Sequence, residues 1–316
     1  MVKLNLHRGI FLLFMVFACG PVCDAAPGNE YLPLAAIAQK HHLKAVVNRP
    51  DRVILRSEEM ELIFKPQART FHANNVLMPL GFSTEVRTGK LCVTHADYSS
   101  HICPFLVKRC QNSAQRVTIV LDPGHGGRDD GTAAASGLKE KIVTLDICQK
   151  LAQFLTKQGY AVHLTRSEDR YVELEERAKF ANQKSANLFV SVHCNAAETR
   201  LAHGIETFTL TPHGQPSQHK TKFSQSALKP YDNNRFDGEN LMLAYNVQRI
   251  LLRRTRGADR GVKHANFRVL MDLNCPAILV ECGFLSNALE KKKLASEEYR
   301  WVIAQAIADG IITSLK

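Results

Sequence analysis

The run Val117-Thr-Ile-Val-Leu121, continued by Asp122-Pro-Gly-His-Gly-Gly127, decides how this chain reads. A nearly continuous apolar run of that length is what a buried parallel strand requires, with apolar neighbours on both faces. The next pattern differs. Over residues 140–158, Ile142, Leu145, Cys148, Leu151, Ala152 and Leu155 recur at three- and four-residue intervals, and Gly159 follows as a helix stop. Further strands are predicted at Ala161-Val-His-Leu-Thr165, Leu188-Phe-Val-Ser-Val192, Ile205-Glu-Thr-Phe208 and Ala277-Ile-Leu-Val280. Helices are predicted over 174–183, 240–255 and 297–314, the last with Ser296 as N-cap. This alternation predicts an α/β fold: a single, mostly parallel, twisted sheet with helices on both faces.

In open α/β sheets, ligands sit at the carboxyl ends of the strands. His125 lies just beyond the strand ending at Leu121, His193 follows Val192, and Glu281 follows Val280. Three metal-ligating or acid–base side chains therefore fall at three strand ends. A histidine after a strand also serves simply to hydrogen-bond a loop, and both readings stand at this point. Glu281 is harder to set aside, because an unpaired carboxylate buried behind four apolar residues is costly. The glycines around His125 form neither G-x-G-x-x-G nor a Walker A loop, so a phosphate cradle is not indicated.

Residues 29–110 have a different rhythm. A helix over 32–43 and short strands at Val46-Val47, Arg52-Val-Ile-Leu-Arg56, Met60-Glu-Leu-Ile-Phe64 and Leu91-Cys-Val-Thr94 predict a small α+β N-terminal domain of roughly 80 residues. It loosely resembles the stalk-like domain of copper amine oxidase N-terminal regions, without a shared motif residue, and suits wall binding or partner docking. A polar link, 108–116, separates it from the domain at 116–316.

At roughly 150 residues per domain, 316 residues suit two domains. Lys3, His7 and Arg8 followed by the apolar run 9–18 read as a secretory signal within 1–25, too short to span a bilayer comfortably. Two processing readings stand. Val16-Phe-Ala-Cys19-Gly20 resembles a lipobox, which would place a lipid anchor at Cys19; cleavage near Ala25 would leave a soluble periplasmic or secreted protein. Of nine cysteines none forms C-x-x-C, which argues against a thiolate zinc ribbon. After processing an odd number remains; a disulfide among Cys92, Cys103 and Cys110 and free buried thiols are both open. A net charge of +11 favours anionic surroundings such as nucleic acid, acidic lipid or a wall polymer. No recognition motif for nucleic acid is present, so nucleic acid is not an expected partner.

Taken together, Ile119-Val-Leu-Asp-Pro-Gly-His-Gly-Gly127, Gly137-Leu-Lys-Glu-Lys141, Leu164-Thr-Arg166, Arg177 with Ala181-Asn182, Phe189-Val-Ser-Val-His-Cys-Asn195, Asp259-Arg-Gly-Val-Lys263 and Val280-Glu-Cys-Gly-Phe-Leu-Ser-Asn287 resemble the zinc-dependent N-acetylmuramoyl-L-alanine amidases of bacterial cell-division type. The resemblance covers essentially all of 116–316. It implies one Zn2+ held by His125, Glu140 and His193, with Glu281 as the catalytic carboxylate. Two imidazoles and one carboxylate leave a fourth position open, the catalytic arrangement of zinc. The implied reaction is hydrolysis of the amide joining N-acetylmuramic acid to L-alanine in peptidoglycan, by a zinc-bound water whose proton passes to Glu281. Without the resemblance, Glu140 reads as an ordinary acidic residue at a helix start.

Asn195 and Arg260 occupy positions that imply substrate hydrogen bonding or support of the site, and Arg177 a brace. Cys194 and Cys282, next to His193 and Glu281, should point away from the zinc by strand alternation. The polar stretch 211–240 reads as a rim loop of the substrate groove. The resemblance implies a cell-envelope location, peptidoglycan or muropeptides as substrate, an activator protein as a partner, and a role in wall remodelling or daughter-cell separation. Two other functions remain: a zinc peptidase cleaving another wall-peptide bond, and a non-catalytic peptidoglycan-binding scaffold.

Overall fold

The computed structural model describes residues 30–49, 52–107, 117–132, 137–217 and 229–316. The leader-like segment 1–25, the link 108–116, and Cys19, Cys23 and Cys110 lie outside the described residues.

The first part contains β1 (Tyr31–Pro33), α1 (Leu34–Lys40), β2 (Lys44–Arg49), β3 (Arg52–Arg56), β4 (Glu61–Phe64), β5 (Thr70–Ala73), β6 (Val76–Pro79), β7 (Glu85–Arg87), β8 (Lys90–Thr94), α2 (His95–Asp97) and α3 (Cys103–Leu106). Strands β2 to β6 form an antiparallel meander, and β1, β8 and β7 pair in that order as a second antiparallel sheet. The second part contains β9 (Thr118–Pro123), α4 (Glu140–Lys157), β10 (Ala161–Leu164), α5 (Leu174–Gln183), β11 (Leu188–Asn195), β12 (Ile205–Thr209), α6 (Asp237–Thr255), β13 (Asp259–His264), α7 (Arg268–Met271), β14 (Ala277–Phe284), α8 (Ala288–Ala295) and α9 (Glu297–Ser314).

Six of these strands form one sheet in the order β10-β9-β11-β14-β12-β13. β10, β9, β11 and β14 run parallel; β12 pairs antiparallel with β14, and β13 parallel with β12. Alternation along the strands sends Ile119, Leu121, Val190, Val192, Ile278 and Val280 into a core with Val143, Ile147 and Leu151 of α4, Val247 of α6 and Ile307 of α9. The intervening residues Val120, Phe189, Ala277 and Leu279 meet Ala178 and Ala181 of α5 and Val269 and Leu270 of α7. Each fully buried aliphatic side chain of this size contributes about 1.5–3 kcal/mol, so covering both faces is what holds the parallel strands together. Cys194 and Cys282 belong to the α4/α9 side and are buried free thiols, as is Cys92.

The two parts share a core. Phe64 and Phe71 stack at 5.0 Å, and Phe105 meets the Tyr245 ring of α6 edge-on at 5.0 Å. β6 lies along the outer edge of β13, where the Leu77 amide donates to Asp259 Oδ2 at 2.9 Å. Stem residues of the 211–240 stretch are gripped from the same side. Gln215 packs against Gly81 and donates to the Ala96 carbonyl at 3.3 Å.

Several boundaries differ from the sequence reading. β9, β11 and β14 run to Pro123, Asn195 and Phe284, so His193 and Glu281 lie inside the final turns of the pleat, not after it. The first helix begins at Leu34, because Tyr31–Pro33 pairs with β8. α6 starts at Asp237 and is preceded by a 3-10 turn, Asp232–Phe236, inside the stretch read as loop. Among the described residues, no helix is long and apolar enough to cross a membrane.

Candidate metal and catalytic site

The turn after β9 is built by two buried arginines. Arg166, fully buried, donates from Nε to the Pro123 carbonyl at 3.0 Å and from Nη2 to Gly124 and Lys141 carbonyls, each at 2.8 Å. Arg177 donates from Nη1 to Asp122 Oδ1 at 2.7 Å and from Nη2 to the His125 carbonyl at 3.0 Å. Burial works against the charge of Asp122, but Arg177 and the hydroxyls of Thr165 and Ser191 hold its carboxyl below the usual range. These contacts fix His125 in a left-handed conformation, φ 60°, which a residue with a Cβ adopts only when its surroundings impose it.

So placed, His125 meets two other side chains. Glu140 opens α4, yet its carboxylate does not cap the helix. Oε1 stands 3.1 Å from His125 Nε2 and 3.0 Å from His193 Nδ1, and accepts from the Cys194 amide at 3.0 Å. Oε2 accepts from the Thr132 amide at 2.8 Å. The ligand atoms of His125, Glu140 and His193 all lie within 4.8 Å of one another. Against the cost of burial, the two histidines hold the Glu140 carboxyl far below the usual range. In the same way, Glu140 and Asp129 raise His125 despite its burial.

Glycine is needed at two points here. A Cβ on Gly124 would fall 2.3 Å from His193 Cε1; on Gly131, at φ +64, it would fall 2.6 Å from His125 Cδ2 and 2.7 Å from Glu140 Oε2.

The donor set fits a zinc ion: two imidazoles and one carboxylate, converging and half-buried to buried. Asp129 Oδ2, 2.8 Å from His125 Nδ1, supplies the orienting carboxylate that metal-ligating histidines characteristically have behind them. Cys194 and Cys282 are not part of the set, and burial pushes both thiols well up.

Glu281 stands directly beside His193 in the β11–β14 register. Its Oε2 is buried and has no hydrogen-bond partner among the described residues. Burial, then the charges of Glu140 and Glu206, push its carboxyl well up, and Lys263 opposes them. On its other side, in register on β12, stands Glu206. Buried to 3% exposure, Glu206 accepts from Asn195 Nδ2 at 2.6 Å, from Arg260 Nε at 2.8 Å and from Lys263 Nζ. Asn195 and Arg260 thus do reach the neighbourhood of the site, joined through Glu206. Sequence reasoning missed Glu206 and Asp129. The signal for Glu206 was available: it interrupts an apolar strand, as Glu281 does.

The chain matches the family described as N-acetylmuramoyl-L-alanine amidase over residues 119–313. It is 33% identical over 208 residues to the N-acetylmuramoyl-L-alanine amidase LytC of Bacillus subtilis, covering 66% of this chain and 37% of LytC. To the amidase AmiC of Neisseria meningitidis serogroup B it is 34% identical over 221 residues, 63% of this chain and 53% of AmiC. The chain thus spans well under two thirds of either relative. Among solved structures, an N-acetylmuramoyl-L-alanine amidase from Clostridium difficile superposes with a TM-score of 0.54 at 36% identity, covering 63% of this chain and 96% of that one. The CwlD amidase of Clostridioides difficile, solved in complex with the GerS lipoprotein, gives 0.53 at 33% identity, covering 63% and 98%. The class so defined is that of the cell-wall amide hydrolases. The chain belongs to the N-acetylmuramoyl-L-alanine amidase family, which agrees with the resemblance read from its motifs.

Proposed function

We propose that this chain hydrolyses the amide between the lactyl group of N-acetylmuramic acid and L-alanine of the peptidoglycan stem, with His125, Glu140 and His193 holding Zn2+. The observation that carries this reading is the position of Glu281: a buried carboxylate oxygen, unpartnered among the described residues, one strand from a converged His/Glu/His set. When bound, zinc supplies Lewis acidity, polarising the scissile carbonyl and bringing the pKa of a water to roughly 7.

The chain's own groups do the rest. Glu281 Oε2, with no competing donor among the described residues, takes the proton released by the attacking water and returns it to the departing amine. Its burial and its two carboxylate neighbours favour the protonated form that the second half of this cycle needs. Asp129 keeps the His125 ring turned towards Glu140. Asn195 and Arg260 face substrate beside Glu281.

Residues 29–110 are proposed as a docking or wall-binding domain, and residues 1–25 as an export signal to the cell envelope, with an anchor at Cys19 in the lipoprotein reading. CwlD's complex with a lipoprotein supports an activator protein as a partner here. Separation of daughter cells and wall remodelling are the roles that follow. Mass spectrometry of peptidoglycan fragments incubated with the protein, with and without a zinc chelator, tests the reaction. Intact stem peptides that vanish with chelation and return with zinc are expected. Fragments cut within the peptide would establish a peptidase instead, and no release by zinc-loaded, folded protein would favour a scaffold.

A further inference from the structure

At the carboxyl ends of β11 and β14 the sheet aligns a row of side chains across four adjacent strands. His193 is in register with Glu281, Glu281 with Glu206, and Glu206 bonds Arg260 on β13. Three strand spacings of about 4.8 Å separate the ends of this row. Arg260 is held in two ways. Its Nε is spent on Glu206 Oε2, and its guanidinium carbon lies 4.8 Å over the Phe284 ring. The Arg260 side chain nevertheless keeps 35% exposure, and Nη1 and Nη2 have no partner among the described residues. An arginine whose inner nitrogen is anchored and whose plane is stacked presents a fixed pair of N–H donors, the geometry that takes a carboxylate through two parallel bonds.

Charge points the same way. Glu206 is a single carboxylate facing both Arg260 and Lys263, so its one charge does not neutralise both cations. The other oxygen of Glu206 is occupied by Asn195, two residues beyond His193 on β11. One buried carboxylate thus ties the strand bearing a metal-site histidine to the edge strand bearing the arginine, passing over the strand that bears Glu281.

Resting on the amidase reading, we infer that Arg260 binds a carboxylate of the stem peptide and that Glu206 is the positioning residue that aims it. The enzyme then prefers stem peptides with that carboxylate free over those in which it is amidated. Towards that carboxylate Glu206 acts through Arg260; it does not touch the substrate.

The test uses muramyl tetrapeptides whose carboxylates are amidated one at a time. Hydrolysis is followed with the full chain, and binding with the Glu281→Gln protein, so that affinity is read without turnover. For the wild type, blocking one particular carboxylate is expected to raise KM, and the dissociation constant in Glu281→Gln, on the order of tenfold, the worth of a charged hydrogen bond. In Arg260→Ala that preference should vanish, the free and amidated peptides then showing the same KM and the same dissociation constant. Glu206→Gln should lose the preference to the same degree, and the double variant should lose no more than either single one. Arg260→Lys, which keeps the charge without the planar fork, should retain only part of it and guards against a folding defect in Glu206→Gln.

An Arg260→Ala protein that still discriminates free from amidated peptides overturns the inference, as does absence of any discrimination in the wild type. Hydrolysis without an Arg260-dependent preference would leave the amidase reading standing and sink this one. Arg260-dependent binding without hydrolysis would do the reverse.

Discussion

His101 and His264 face each other across the seam between the two parts, with their Nε2 atoms 2.6 Å apart and both rings buried. At that distance one nitrogen must donate and the other accept, so the pair cannot carry a proton on both. His264 Nδ1 is engaged by Thr209 Oγ1 at 2.7 Å, and Asp97 stands 3.1 Å from His101 Nδ1. Burial, the neighbouring His101 and Arg69 hold His264 well below its usual range, so the folded protein keeps it neutral.

The sign of the resulting pH dependence follows. A histidine with a depressed folded pKa binds fewer protons folded than unfolded. The stability it contributes is full above its unfolded pKa of about 6.5 and is lost as pH falls towards the folded value, at about 1.4 kcal/mol per unit of depression. Denaturant unfolding at stepped pH should therefore show the wild type weakening below pH ~6.5, and His264→Gln weakening less steeply. Equal slopes in the two proteins would refute this account of the seam.

Asp122 and Arg177 form a pair with 1% and 3% side-chain exposure, 2.7 Å apart, beneath the turn bearing His125. Asp122→Asn leaves the guanidinium buried against a neutral amide and weakens the contacts of Thr165 and Ser191. Breaking such a pair costs about 3–5 kcal/mol. Chemical denaturation should register that loss, together with weaker zinc binding as the His125 turn relaxes. A change under 1 kcal/mol would mean that the pair stabilises little, as ~1 kcal/mol surface pairs do.

Asp129 contacts His125 from outside the cluster, and its side chain is 44% exposed. Its removal should scarcely alter stability. Asp129→Ala should instead weaken zinc binding by roughly 10- to 100-fold, the usual effect of losing the carboxylate behind a ligating histidine. Competition with a fluorescent chelator measures this directly. Unchanged affinity in a folded variant would place the orienting role elsewhere.

How much of this was legible beforehand differs from residue to residue. His125, His193 and Glu281 could be singled out from the sequence because each interrupts or ends an apolar strand, and strand ends are where such sheets gather chemistry. Glu140 could not. A first-turn glutamate has an adequate local explanation, and only the family pattern marked it as a ligand; its turn towards the histidines depends on the packing of α4 beneath β11. β13 escaped notice since Asp259-Arg-Gly-Val-Lys-His264 is polar, as an edge strand covered by β6 can be. β5 and β6 were also missed, though Asn74 and Asn75, both at positive φ, are an asparagine pair suited to a tight hairpin. The His101–His264 contact, 163 residues apart in sequence, leaves no local trace at all.

The proton carrier proposed at Glu281 comes with a cost to stability. Its carboxylate has a buried oxygen with no partner among the described residues and two acidic neighbours, and its folded pKa is raised. In the metal-free protein this group therefore binds its proton more tightly folded than unfolded, and above its unfolded pKa of about 4.3 its ionisation opposes folding. Glu281→Gln removes that penalty while keeping the side chain's shape. The variant without metal should melt at a higher temperature than the wild type at pH 7 and retain zinc binding, since Glu281 is not one of the converging ligands. Release of stem peptides should fall by roughly 10²- to 10⁴-fold, the usual contribution of a positioned proton carrier. Calorimetry, metal content and peptide release on the same preparation check all three. Lost zinc would make Glu281 a ligand, and retained turnover would give the proton to another group. A lower melting temperature would mean that Lys263 already compensates the buried charge.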